Sequence, residues 1–210
     1  MRIESVTEYS RGRMQLCLED GRSFVLYRRE LAQYGLTEGA ELPQEVCEEI
    51  MELLRRRVLR RCGALLEKQD YTEAALRRKL QSDGQAEETI GQVLDSLKEA
   101  GYLDDARYAE HYICCHIADR SRERIRRDLA GKGISGEVLE EAFADFEETE
   151  DGGNRFREQE ILQIQKLLER RQYDPMTADW AEKQKTMAFL YRKGYPQELI
   201  RRAVEDEDLL

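Results

Sequence analysis

Proline, histidine, tryptophan and long apolar runs are all scarce in this chain. Its 210 residues include three prolines, two histidines and one tryptophan, and aromatic residues make up 8%. No stretch approaches the roughly 18 consecutive apolar residues of a membrane span, so no membrane partner is expected. The opening MRIESVTEYS carries no apolar core of a secretory signal. The five cysteines, Cys17, Cys47, Cys62, Cys114 and Cys115, are odd in number and include an adjacent pair. That argues against a disulfide framework and for the reduced thiols of a cytoplasmic protein. A glycine loop able to cradle phosphate is absent, and no Ser-His-Asp context for nucleophilic catalysis is present. His111, Cys114, Cys115 and His116 lie close in sequence, but their spacing matches no standard zinc pattern and the further ligands are missing, so buried packing is the expected role. Catalytic residues, cofactors and metals are therefore not expected.

Charge is abundant instead. Asp, Glu, Lys and Arg supply 37% of the residues, with a net charge of -10. This balance argues against tight unaided binding to DNA. It suits amphipathic helices with solvated faces, and a modular array in which each unit buries its apolar face only against its neighbours. Such an array is expected to be elongated and monomeric.

The first 27 residues differ from the rest. Met14, Leu16 and Leu18, then Phe24 and Leu26, alternate with polar residues on either side of Asp20-Gly21, the signature of a β-hairpin. Ile3 and Val6 suggest a third short strand. From Pro43 the period becomes helical, with Val46, Ile50, Leu53, Leu54, Val58, Cys62, Leu65 and Leu66 in steps of three and four. Thr72, Asp104, Ser121 and Ser135 are placed to cap helices, and Gly101 and Gly194 to end them. The fold expected is mainly α-helical, with residues 1–42 a hairpin extension and short connector, 43–103, 104–148 and 155–210 three tandem three-helix repeats, and 149–154 a linker. An acidic tail, 205–208, closes the third repeat.

The repeat is explicit when the chain is aligned on Leu80, Leu129 and Leu190. Four residues earlier stand Leu76, Ile125 and Thr186. Ten later stand Ile90, Leu139 and Ile200, thirteen later Val93, Ala142 and Ala203, and fourteen later Leu94, Phe143 and Val204. Of these fifteen positions only Thr186 is polar. The first two offsets share one helix face and the last three share a face of the next helix. Each unit is thus a helix, a turn and a helix, preceded by a longer helix.

The run from Ala100 to Ala109, with Gly101-Tyr102-Leu103-Asp104-Asp105 followed by Arg107-Tyr108-Ala109, resembles the most recognisable stretch of the RecX family. Ile125, Leu129 and Lys132-Gly133-Ile134 resemble its second signature, Leu76–Leu80 fits the first-module pattern, and Leu190–Tyr195 is a weaker third echo. The resemblance covers about residues 44–206. Ser121 stands where the family often has glycine, and Thr72 where it often has serine; both keep the helix cap. The resemblance implies a non-enzymatic regulator that binds the filament formed by the RecA recombinase on DNA and inhibits its ATP hydrolysis and strand exchange; activation is the alternative that the sequence leaves open, and a weak contact to single- or double-stranded DNA is a further expectation. The motifs also have a structural reading, in which Tyr102 and Leu103 pack between modules, Tyr108 and Tyr112 are core, and Trp180 anchors helices.

A basic block, Arg55, Arg56, Arg57, Arg60 and Arg61, lies on the first helix of the first repeat, and the middle helix of every repeat is basic. Arg77 and Arg78 lie in the first, Arg122, Arg126, Arg127 and the nearby Lys132 in the second, and Arg192 and Lys193 in the third. These are the candidate partner-binding residues, with Arg122 and Arg126 foremost because they sit four apart on one face of the central module. Their exposure would let both be reversed to Glu with little change in stability. The final helices of the first two repeats are acidic, through Glu87, Glu88 and Asp95 and through Glu137, Glu140 and Glu141. A helix-turn-helix transcription regulator would offer that helix to the major groove, where carboxylates meet phosphates. That alternative and a generic helical adaptor are the competing readings.

Overall fold

In the computed structural model, which describes residues 1–149 and 152–205, the Asp20-Gly21 pair forms the turn expected of it. Gly21 has φ +87°, and its N–H donates to the Leu18 carbonyl at 3.0 Å. The strands β1 (Ile3–Ser10), β2 (Arg13–Leu18) and β3 (Ser23–Tyr27) form one antiparallel sheet in that order, with Val6 opposite Leu16 and Leu16 opposite Phe24. Leu16, Leu18, Phe24 and Leu26 are buried, as the alternation requires.

The connector after β3 is not a simple link. It contains the helix α1 (Arg28–Tyr34). Glu30 holds it by accepting from the Tyr27 N–H at 2.8 Å and from Arg57 at 2.6 Å, while the Arg57 guanidinium lies over the Tyr27 ring. Gly35, with φ +64°, ends it. The long helix α2 (Gln44–Leu66) follows, with Pro43 as its N-cap. Its first half sends Cys47, Ile50 and Leu54 into a core shared with the sheet. Its second half sends Val58, Cys62 and Leu65 into a separate core with α3 (Glu73–Ser82) and α4 (Glu87–Glu99). One helix thus serves as the spine of two cores. The hairpin tip also meets the α3–α4 turn, where Arg13 donates to the Asp83 carbonyl at 2.7 Å and Tyr9 lies so close to Gly84 that a side chain there would collide with its ring.

The chain forms two compact units, residues 1–104 and residues 105–210. The second holds α5 (Asp105–His116), α6 (Arg122–Gly131), α7 (Gly136–Glu148), α8 (Gly152–Arg170), α9 (Trp180–Lys193) and α10 (Gln197–Glu205). Here α8 repeats the role of α2, with Phe156 in the core of α5, α6 and α7, and Ile164 and Leu168 in that of α9 and α10. The helix α8 begins at Gly152, inside the stretch read as a linker; Glu150 and Asp151 lie outside the described residues, as does the acidic tail beyond Glu205.

All fifteen repeat positions are buried, Thr186 included. The turn between the paired helices repeats as well. Gly84, Gly133 and Gly194 stand four residues after Leu80, Leu129 and Leu190, with φ of +78°, +92° and +91°. The next residue, Gln85, Ile134 or Tyr195, donates its N–H to the carbonyl of that leucine in each case. The hydroxyls of Thr72, Ser121 and Ser135 cap their helices as expected.

Two aromatic expectations fail. Tyr102 is 68% exposed and Trp180 is 78% exposed. The positive φ of Gly101 turns the chain so that the N–H groups of Tyr102 and Leu103 both reach the Leu97 carbonyl, with Leu103 packed inward and Tyr102 left outside. Trp180 is the first residue of α9, on its outer face. Tyr108 and Tyr112 are half-buried and stack on each other, and His116 lies against Tyr112. His111, Cys114 and Cys115 are exposed rather than packed, and no group able to hold a metal occurs among the described residues. Burial pushes the Cys62 thiol up to about 11, so it is an inert core residue.

Leu129→Ala should cost about 2–5 kcal/mol, because the fully buried side chain leaves a cavity. Trp180→Ala should stay within about 0.5 kcal/mol, as surface substitutions do. Chemical denaturation of the two variants checks the contrast; equal losses would contradict this division of core and surface.

Candidate partner interface

The helix α6 presents its arginines because Ile125 and Leu129 fix its inner face. Most of that positive charge is matched within the module. Arg122 bonds Glu147 of α7 at 2.7 Å, and Arg126 pairs with Glu140 of the same helix. Both guanidinium groups lie over the Phe143 ring, at 5.4 and 4.9 Å from its centroid. Arg120 and Arg124 share Asp128. The first module follows the same logic, with Arg77 between Glu73 and Glu87. The basic middle helix and acidic last helix of the sequence are therefore partners in one module. Reversing Arg122 and Arg126 would set Glu against Glu140 and Glu147 and remove the stacking on Phe143, so stability would not be left untouched as the sequence suggested.

Within the second unit the structure brings Arg122, Arg126, Arg127 and Arg192 to one groove of about 970 Å³. Its other side is the end of α9 and the start of α10, with Tyr191, Tyr195 and Gln197. Arg127 and Arg192 are exposed; Arg122 and Arg126 are half-buried. The Nε of Arg122 is buried with no hydrogen-bond partner. Lys193 adjoins the groove, stacked on Phe189. Lys132 sits apart over the Tyr108 and Tyr112 rings, and Arg77 and Arg78 belong to the first unit.

The groove is held in shape by a polar seam beneath it. The Ser121 hydroxyl donates to the Lys193 carbonyl at 2.7 Å while accepting from the Arg124 N–H. Gly194 lies so near that a side chain would meet Ser121 Oγ at 2.9 Å. On α8, Glu160 accepts from the Arg122 N–H at 2.9 Å, and Gln163 donates to the Ile117 carbonyl at 2.8 Å while accepting from the Tyr195 hydroxyl at 3.1 Å. Burial raises the Glu160 carboxyl above its ordinary range, opposed by the Arg122 N–H and charge, and pushes the Tyr195 phenol up to about 12. Glu160 and Gln163 were not anticipated as junction residues. Their signal was positional: four and seven after Phe156, they occupy the apolar face of α8.

The comparisons with known proteins agree with this architecture. Residues 104–142 match the family description "RecX, second three-helix domain" and residues 158–204 match "RecX, third three-helix domain". A regulatory protein RecX from Trichlorobacter lovleyi is 35% identical over 145 residues, 67% of this chain and 89% of that protein. One from Vibrio vulnificus is 32% identical, over 68% and 88%. A crystal structure of a regulatory protein RecX superposes with a TM-score of 0.64 at 23% identity, covering 98% of this chain and 99% of the other. A second, of RecX from Lactobacillus salivarius, has a TM-score of 0.61 at 21% identity and covers 75% and 98%. The two structures establish the fold.

Because the folded state holds Glu160 with a raised pKa, its contribution to stability is present below the unfolded carboxyl value and is lost as pH rises through the folded one. Glu160→Gln keeps an acceptor for Arg122 and removes the titration. Its stability relative to the parent chain should therefore rise between pH 4 and pH 7 in urea unfolding; a flat or falling difference would contradict the assignment.

Proposed function

We propose, for a chain that belongs to the RecX family, that it acts without catalysis by binding the filament of the RecA recombinase on DNA and lowering its ATP turnover and strand exchange. The observation that carries this reading is the 35% identity to a regulatory protein RecX over nine-tenths of that protein's length. The groove geometry supports it. Arg192 faces outward, and so does Arg127, whose ion pair to Glu123 is long at 3.9 Å, beside a cradle whose other arginines are engaged by α7; both are within reach of carboxylates of a protein or of phosphates. A ligand that fits one filament conformation better than another slows a cycle that must visit both. Binding of this kind needs no chemistry from the bound chain. Among the described residues no helix is long and apolar enough to cross a membrane.

The test is ATP hydrolysis by RecA on single-stranded DNA. Saturating chain should lower turnover, and unchanged turnover would overturn the proposal. The Arg127→Glu, Arg192→Glu double variant should weaken the effect on the order of tenfold, most at low salt, since exposed interface charges act through steering and screening. A site-specific footprint on duplex DNA without any effect on RecA would favour the transcription-regulator reading instead.

A further inference from the structure

Along α9, Trp180, Gln184, Met187 and Tyr191 follow steps of four, three and four, so they lie in one stripe. At 1.5 Å per residue the stripe runs about 16 Å. Trp180, the sole tryptophan of the chain, is 78% exposed and Tyr191 is 69% exposed. A single exposed aromatic needs no explanation. Two on one helix face, one of them lining a groove, do call for one. That groove, of about 590 Å³, lies between α9 and α10, with Met187, Ala188, Tyr191 and Ile200 supplying its apolar lining and Gln184, Gln197, Arg201 and Glu205 its polar lining. Tyr191 also lines the arginine groove, so the apolar channel leads directly to Arg127 and Arg192.

We propose that this α9–α10 face is a docking groove for an amphipathic helix of a protein partner, one that presents large apolar side chains with carboxylates beside them. That the partner is a component of the recombinase filament rests on the function proposed above. The charge at the end of the groove selects the partner. Within the groove Arg201 is matched by Glu205 at 3.9 Å, but where it meets the neighbouring groove at Tyr191 and Gln197 it opens on the exposed Arg192 and Arg127, in a chain of net charge -10. The lining selects a protein over a nucleic acid. Base stacking uses successive aromatic platforms, whereas here Gln184 and Met187 separate the two rings over three turns. Met187, Ala188 and Ile200 instead give an adaptable aliphatic floor edged by polar side chains, of the kind that takes an amphipathic helix. Tryptophan, tyrosine and arginine are also the residue types in which binding energy concentrates.

The experiment uses the full chain and RecA filaments on single-stranded DNA. A photoreactive benzoylphenylalanine replaces Gln184, and the Trp180→Ala, Tyr191→Ala double variant is titrated in the ATPase assay beside Tyr191→Phe. The groove assignment predicts a cross-link to protein, a rise of at least tenfold in the half-maximal concentration for the double variant with an unchanged melting temperature, and near-parent behaviour for Tyr191→Phe. A cross-link to the DNA strand, or a double variant that acts at the parent's concentration, overturns it while the parent's own effect on turnover still stands. If the parent chain leaves turnover unchanged, the functional reading fails and this assignment with it.

Discussion

Every module depends on one small turn. A glycine four residues past the reference leucine takes a positive φ, and the following N–H bonds back to that leucine's carbonyl. With an ordinary side chain this conformation would be strained, so the turn fixes where the helix ends. Ending it there sets the angle at which the next helix returns, and that angle brings the offsets of ten, thirteen and fourteen over the buried leucine. Two helices still leave apolar surface uncovered. The helix before each pair closes the core, and the long α2 and α8 each extend into a second core, so the two cores of each unit share a rigid element.

Charge follows the same economy. The arginines of α6 look like a free basic face in the sequence. In the structure Arg122 and Arg126 reach across to α7 and lie over Phe143, so their guanidinium groups act as much by packing as by charge. The groove arginines least engaged by this internal matching are Arg192 and Arg127, the latter with a long ion pair to Glu123. The groove exists because Ser121, Glu160, Gln163 and Tyr195 join the second and third modules through hydrogen bonds. Buried polar groups of this kind are costly unless satisfied, and satisfied they hold the two modules in one register. The groove is thus a product of a junction and of no single helix.

This division explains what was legible in the sequence. Local signals carried far: the alternation about Asp20-Gly21, the caps at Thr72, Ser121 and Ser135, and the repeat that places Ile125 and Leu129 inward. The helix α1 was not legible, because its main support is an ion pair between Glu30 and Arg57, 27 residues apart. Tyr102 and Trp180 were misplaced because an aromatic residue at a helix boundary can face either way, and only the path of the chain after Gly101 or before α9 decides it. The groove was half legible. Four of the eight candidate cations line it, but their arrangement around Tyr191 comes from the packing of the third module on the second.

On the proposed function the chain recognises the recombinase filament as a protein assembly and not its DNA alone. Co-sedimentation measures this directly. The chain should pellet saturably with RecA assembled on single-stranded DNA and remain in the supernatant with the same DNA lacking RecA. Retention in the supernatant in both cases, or equal pelleting with the bare DNA, would contradict the account.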